Sequence, residues 1–133
     1  MSTANGSTLA RPSAPLQDRL RAKPSSLDAL PPPFGCHVFP EGRHVRVAPI
    51  GELDMATTPE LERTIRQLLE LAFDRLTLDL AQVSFADARL LRLILELDAS
   101  RQMGELSLTL LPGPDEVQRL FEVTGTLARL PFR

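Results

Sequence analysis

The apolar positions along the chain change period in a readable order. Over residues 76–80 they fall at every second place, with Leu76, Leu78 and Leu80 enclosing Thr77 and Asp79. That alternation predicts a strand with one buried face. Residues 81–86 read as a short link to Asp87. The stretch from Ala88 to Gln102 is too long and too rich in leucine for another strand and predicts a helix. Asp87 fits its N-cap: a carboxylate there accepts the orphan N–H groups of the first turn at the positive end of the helix dipole. Helical spacing puts Arg89, Arg92, Glu96 and Ser100 on one polar side and turns Leu91, Ile94 and Leu95 toward the sheet. Leu90, Leu93 and Leu97 form a further stripe at one shoulder. The expectation is that Leu90 and Leu93 are partly exposed beside Asp87; the alternative is that a neighbouring helix or chain end covers them. A strand, a short loop and a helix N-terminus form either an ordinary scaffold joint or a place where a partner or an anion docks.

The same patterns extend outward from this centre. Residues 35–39 and 44–50 read as a hairpin, with Pro40, Glu41 and Gly42 supplying the turn. Pro49 cannot donate to a ladder, so it belongs near a strand end, at a bulge, or with its nitrogen facing away from a neighbour. Gly51, Glu52, Leu53 and Asp54 then break the strand. Thr57 and Thr58 are both N-cap candidates, and Pro59 favours Thr58. The helix that follows carries Leu61, Ile65, Leu68 and Ala72 on one face, with Glu60, Glu62, Arg63, Arg66, Gln67 and Glu70 as its solvated side. Gly104 is an αL cap candidate for the helix after Asp87. Residues 105–111 predict a strand with Leu106, Leu108 and Leu110 inward. Pro114 suits the first position of a last helix packed through Val117, Leu120, Phe121 and Thr124, which Gly125 ends. Leu127, Leu130 and Phe132 then cover an edge of the core. Beyond the hairpin, strands and helices alternate. The fold class is therefore α/β: a small mixed, mostly parallel sheet of four to five strands with helices packed against it.

Composition narrows the function. Of the 133 residues, 43% are apolar, enough for one domain with a real core. Residues 1–33 hold six of the twelve prolines among Ser, Thr, Ala and Gly, so a disordered tail followed by a domain at 34–133 is the expected division. A net charge of -2 and the lack of Trp and Tyr argue against nucleic-acid binding. The single Cys36 excludes an internal disulfide and a thiolate zinc cluster, and His37 beside it points to the opposite strand face. No apolar run is long enough to insert in a membrane, and the first 30 residues lack a signal-peptide core, so the cytoplasm is the expected location.

Reactive constellations are sparse. No Gly-rich phosphate loop, nucleophile elbow or metal-spaced His/Asp set occurs, so neither metal nor cofactor is expected. Glu52 and Asp54 form a carboxylate pair without a His, Lys or Tyr partner nearby in sequence. Backbone N–H groups of their own loop would satisfy them as well as acid–base work would. These features point to a binding module and not to an enzyme.

Gly51-Glu52-Leu53-Asp54 followed by Thr57 and a helix, then Leu78-Asp79-Leu80 with Val83, Phe85 and Asp87, then Gly125, resembles a STAS domain. The likeness spans about 34–132 and is closest in kind to the bacterial anti-sigma factor antagonists. It implies partner switching: the unmodified antagonist binds an anti-sigma factor of the histidine-kinase-like ATPase type, and that partner phosphorylates it on a Ser or Thr at the start of the second helix. Glu52, Asp54, Asp87, Ala88, Arg89, Leu90 and Leu93 are then the expected partner-binding residues. The family commonly reads Asp-Ser-Ser/Thr-Gly-Leu at the switch; this chain reads Asp87-Ala88-Arg89-Leu90-Leu91. Arg89 occupies the acceptor position, and Ser84 is the one hydroxyl left in the loop, so no phosphorylation is expected at the usual site. Three fates are open to Arg89: facing the nucleotide end of an ATPase partner, blocking that docking, or lying in solvent or pairing with Asp87 or Glu52. The family also includes subunits of lipid or anion transport and stress-signalling assemblies and small-ligand modules, which are the alternative readings.

Overall fold

A computed structural model of the chain describes residues 34–133. The tail expected at residues 1–33 lies outside them. The elements in order are β1 (Phe34–Glu41), β2 (His44–Leu53), α1 (Thr58–Glu70), β3 (Arg75–Asp79), β4 (Val83–Ala86), α2 (Ala88–Gln102), β5 (Ser107–Leu111) and α3 (Asp115–Val123). A 3-10 turn at Leu127–Arg129 follows.

β1 and β2 form the expected antiparallel hairpin, with Val38 opposite Val47. β2 pairs in parallel with β3 through its first half and with β4 through its last residues. β3 in turn pairs in parallel with β5, giving a five-stranded, mostly parallel sheet in the order β1-β2-β3-β5 with β4 beside β2. The C-terminus seals the β5 edge: Leu110 N–H donates to Pro131 O, and Arg133 N–H to Leu110 O, each at 3.0 Å.

The period-2 alternation becomes the inner face of this sheet. Val45, Val47, Leu76, Leu78, Leu108 and Leu110 are buried under the helices, together with Leu61, Ile65 and Leu68 of α1 and Val117 and Phe121 of α3. On the opposite face, Arg46 lies 4.1 Å over the Phe39 ring and bonds Asp79 at 3.0 Å. Burial also pushes the Cys36 thiol up to about 12.

Several expectations shift. Residues 81–86 are not merely a link, because they contain β4. That strand is short, and its alternation is broken by a register shift opposite Gly51 and Glu52. Gly51 does not end β2. It kinks the strand with φ of +103°, a conformation glycine takes without penalty, and β2 runs on to Leu53. The α1 cap is Thr57, one residue earlier than expected, so Pro59 falls at the second helical position. Pro114 likewise caps α3 instead of opening it. Ala72 leaves the α1 face and adopts φ of +77° just past the helix end, and Thr124 is exposed.

The leucines of α2 depart most from expectation. Leu90 and Leu93 are 0% and 2% exposed, so no exposed stripe lies beside Asp87. α2 touches α1, α3, β4 and β5 and must cover a wide arc. Leu90, Leu93, Ile94 and Leu97 fill that arc, while Leu91 and Leu95 sit half-buried at its flank. Asp98 is buried at the same face, its carboxylate held by Arg101 and Gln102 at 2.7 and 2.8 Å.

Candidate functional site

The C-terminal ends of β2 and β4 lie side by side, with Glu52 opposite Phe85 and Leu53 opposite Ala86. The loops that leave them carry Asp54 into α1 and Asp87 into α2. This register therefore brings Glu52, Asp54 and Asp87 to one end of the sheet.

Asp54 organises its loop. Its Oδ1 accepts from the backbone N–H groups of Ala56 and Thr57 at 2.9 and 3.0 Å. Thr57 Oγ1 closes the loop by accepting from Asp54 N–H at 2.9 Å and donating to Glu52 O at 2.7 Å. The bond from Thr57 N–H, then that from Ala56 N–H, holds the Asp54 carboxyl below the usual carboxylate range. The backbone role considered for this acid is the one it fills. Glu52 is exposed, and its carboxylate takes no hydrogen bond or ion pair from the described residues.

Asp87 is the N-cap of α2. It sits in an extended conformation, and Oδ1 accepts from Arg89 N–H at 2.9 Å. Its own N–H donates to Leu53 O at 3.1 Å, which ties the cap to β2. Ala88 is exposed and presents only a methyl group. Ser84 is exposed on β4, and no hydroxyl follows it before Ser100.

Of the fates open to Arg89, the pairing with Asp87 or Glu52 is not the one seen within the chain. It pairs neither with Asp87 nor with Glu52 but crosses to α1, where its guanidinium meets Glu62 Oε1 at 3.4 Å. Glu62 Oε2 is already bonded to Arg66 at 2.8 Å, and Arg66 reaches Glu96 at 3.5 Å. Arg66 first, then Arg89, holds the Glu62 carboxyl below its usual range. A chain of alternating charges thus bridges α1 and α2 beside the loop.

Two apolar residues occupy the place expected for Leu90 and Leu93. Phe85 is 49% and Met55 74% exposed. Sequence reading missed both as surface residues. In an unbroken strand Phe85 would share the inward face of Val83, but the register shift opposite Gly51 and Glu52 turns it outward. The available signal was Gly51 itself, a glycine inside a strand pattern.

Among the described residues no group of three or more His, Cys, Asp or Glu is placed to hold a metal ion. Nor is any described helix long and apolar enough to cross a membrane. The arrangement supplies hydrogen-bond acceptors, one restrained cation and an apolar surface, which suits docking more than bond-making.

Solved structures share this fold. An anti-sigma factor antagonist from Mycobacterium paratuberculosis is 24% identical, with a TM-score of 0.63 over 74% of this chain and 84% of that one. The anti-sigma factor antagonist SpoIIAA in its unphosphorylated form is 18% identical, with a TM-score of 0.63 over 74% and 88% of the two chains. The phosphorylated form of SpoIIAA, a Bacillus cell fate determinant, is 17% identical, with a TM-score of 0.58 over 74% and 91%. No curated protein sequence matches significantly. The family model described as "Mlab, STAS domain" matches residues 37–129, which include the β2–β4 pairing and the Thr57 and Asp87 caps. The chain belongs to the STAS-domain family.

Proposed function

We propose that this chain is an antagonist-type STAS module. It docks an anti-sigma factor of the histidine-kinase-like ATPase type through the Asp87 end of its sheet, in the cytoplasm, and it is not phosphorylated there. The module acts by binding, without catalysis. The observation that carries this reading is the first turn of α2. Asp87 keeps the cap that shapes the turn, while Ala88 and Arg89 follow it and the guanidinium is committed to Glu62. A protonated guanidinium has no nucleophilic hydroxyl oxygen and cannot take a serine's place in that transfer, and its charge is opposite to that of a phosphoserine. The likeness to anti-sigma factor antagonists supports the partner class. Glu52, Asp54, Asp87, Ala88 and Arg89 are assigned to the surface. Leu90 and Leu93 support it from beneath.

Binding to the cognate ATPase, with and without ATP, tests this. The expected result is a complex that persists in ATP with no gain in mass on the STAS chain. In Arg89→Ser it becomes ATP-sensitive, and in Arg89→Glu it weakens. Phosphate on Ser84 of the unaltered chain would refute the reading. The second reading is a permanent STAS subunit of a transport or stress-signalling assembly. The lack of a hydroxyl acceptor favours it equally, because such a subunit needs no switch. Co-purification separates the two: an ATPase-type anti-sigma factor supports the first, a membrane transport subunit the second.

A further inference from the structure

We infer that the Asp87 end is an anchor-and-rim surface: Met55 and Phe85 seat against an apolar face of a protein partner whose flanks are basic, its Lys and Arg meeting Glu52, Asp54 and Asp87. This rests on the partner-binding reading above.

The anchors come from the backbone. The register shift at Gly51 and Glu52 turns Phe85 out beside Glu52, and the Asp54–Thr57 loop holds up Met55. Large apolar side chains about half exposed or more at one end of a fold are the kind that anchor interfaces.

The rim selects the partner. The Glu52 carboxylate is unengaged among the described residues. Asp54 and Asp87 each spend Oδ1 on a loop or cap bond, and Oδ2 of each takes no hydrogen bond from the described residues. Arg89 can offset at most one of these three charges, and its guanidinium leans away to Glu62, which Arg66 shares. The surface is therefore apolar with an unbalanced negative rim. A second copy would set the same acids against each other, and nucleic acid or an anionic lipid surface would be repelled. A basic-rimmed protein surface is the complementary occupant.

The defined probe is a synthetic amphipathic Leu/Lys helix, set against a Leu/Glu helix of the same pattern, each titrated into the full chain and followed by backbone amide NMR. The Leu/Lys helix should perturb residues 52–56 and 84–89 and weaken about tenfold when salt rises from low to several hundred millimolar. Phe85→Ala and Met55→Ser, folded by their spectra, should each lose about tenfold. Glu52→Lys should lose a similar factor without touching a cap, while Glu105→Lys, at the opposite end, should lose none. Equal binding of the Leu/Glu helix, perturbation elsewhere, no binding of the Leu/Lys helix, or full binding by a folded Phe85→Ala would each overturn the inference. The last arm uses the partner from the preceding experiment. If it binds at this end but its affinity ignores salt, the rim chemistry is wrong while the partner-binding reading stands. If it binds at another face, both fail.

Discussion

Ala72→Gly should stabilise this protein, although it removes a methyl group and adds no contact. The three helices among the described residues end alike. In α1, Phe73 N–H donates to Leu68 O at 3.3 Å and Ala72 N–H to Leu69 O at 3.1 Å. The same pair of bonds closes α2 from Glu105 to Ser100 and Gly104 to Arg101, and α3 from Thr126 to Phe121 and Gly125 to Glu122. These are Schellman motifs, whose first residue past the cap is left-handed. Gly104 and Gly125 fill that place at φ of +79° and +74°, but α1 puts Ala72 there at +77°. A left-handed conformation costs an L-residue roughly 1–2 kcal/mol. Glycine gives back roughly 0.5–1 kcal/mol through its greater freedom when unfolded. The net expected gain is about 0.5–1 kcal/mol, because the exposed Ala72 methyl buries little. For a domain of this size that raises the thermal midpoint by about 3–6 °C. Gly104→Ala and Gly125→Ala provide the reverse series. A Cβ at either site meets nothing within 4 Å, so any loss comes from the backbone alone. Melting curves of the three variants decide the matter. An unchanged or lowered midpoint for Ala72→Gly, or no cost for either alanine, would refute the reasoning.

Leu90→Ala should cost about 2–5 kcal/mol in urea unfolding, as a fully buried leucine does; a cost under about 1 kcal/mol would return Leu90 to the surface. Asp87→Ala should cost about 1 kcal/mol and Asp87→Asn only a few tenths, since Asn also accepts the Arg89 N–H bond. Asp54 and Glu62 are both depressed below their ordinary values of 3.8 and 4.5, so each lends stability that is present above those values and is lost as the pH falls through the lower folded ones. Denaturant midpoints should therefore drop on acidification below the ordinary carboxylate range, with a shallower drop in Glu62→Gln.

The parts of the fold that were legible in the sequence are those where one physical demand rules. Leu76, Leu78 and Leu80 alternate because a single sheet face is buried, and Asp87 caps because a helix start needs acceptors. Gly104 and Gly125 mark helix ends because few residues turn left-handed. The parts that were not legible involve two demands at once. Phe85 reads as inward by strand period until a register shift, invisible in apolar spacing, reverses it. Leu90 and Leu93 read as surplus because the arc that α2 must fill depends on where α1 and α3 lie, and that is fixed only by tertiary packing. Arg89 found Glu62, which is 27 residues away, and no local pattern announces such a pair.

The first turn of α2 separates what the fold requires from what it leaves free to change. Asp87 spends its amide on Leu53 and Oδ1 on Arg89 N–H, and Leu90 lies wholly in the core. Both are fixed by folding. Ala88 and the Arg89 side chain are not. Ala88 is exposed, and the pair of Arg89 with Glu62 is partly exposed, worth under about 1 kcal/mol. A cation in the first turn also opposes the helix dipole by roughly 0.3–1 kcal/mol, which the pair offsets. Exchanging Arg89 for a small hydroxyl residue is therefore close to neutral for the fold. Leu90, where the family commonly has glycine, is absorbed by the core and leaves the cap geometry intact. The acceptor can thus be lost while the docking scaffold keeps its shape. For the same reason, whatever Arg89→Ser does to ATP sensitivity in a partner complex reports on the site and not on a damaged fold.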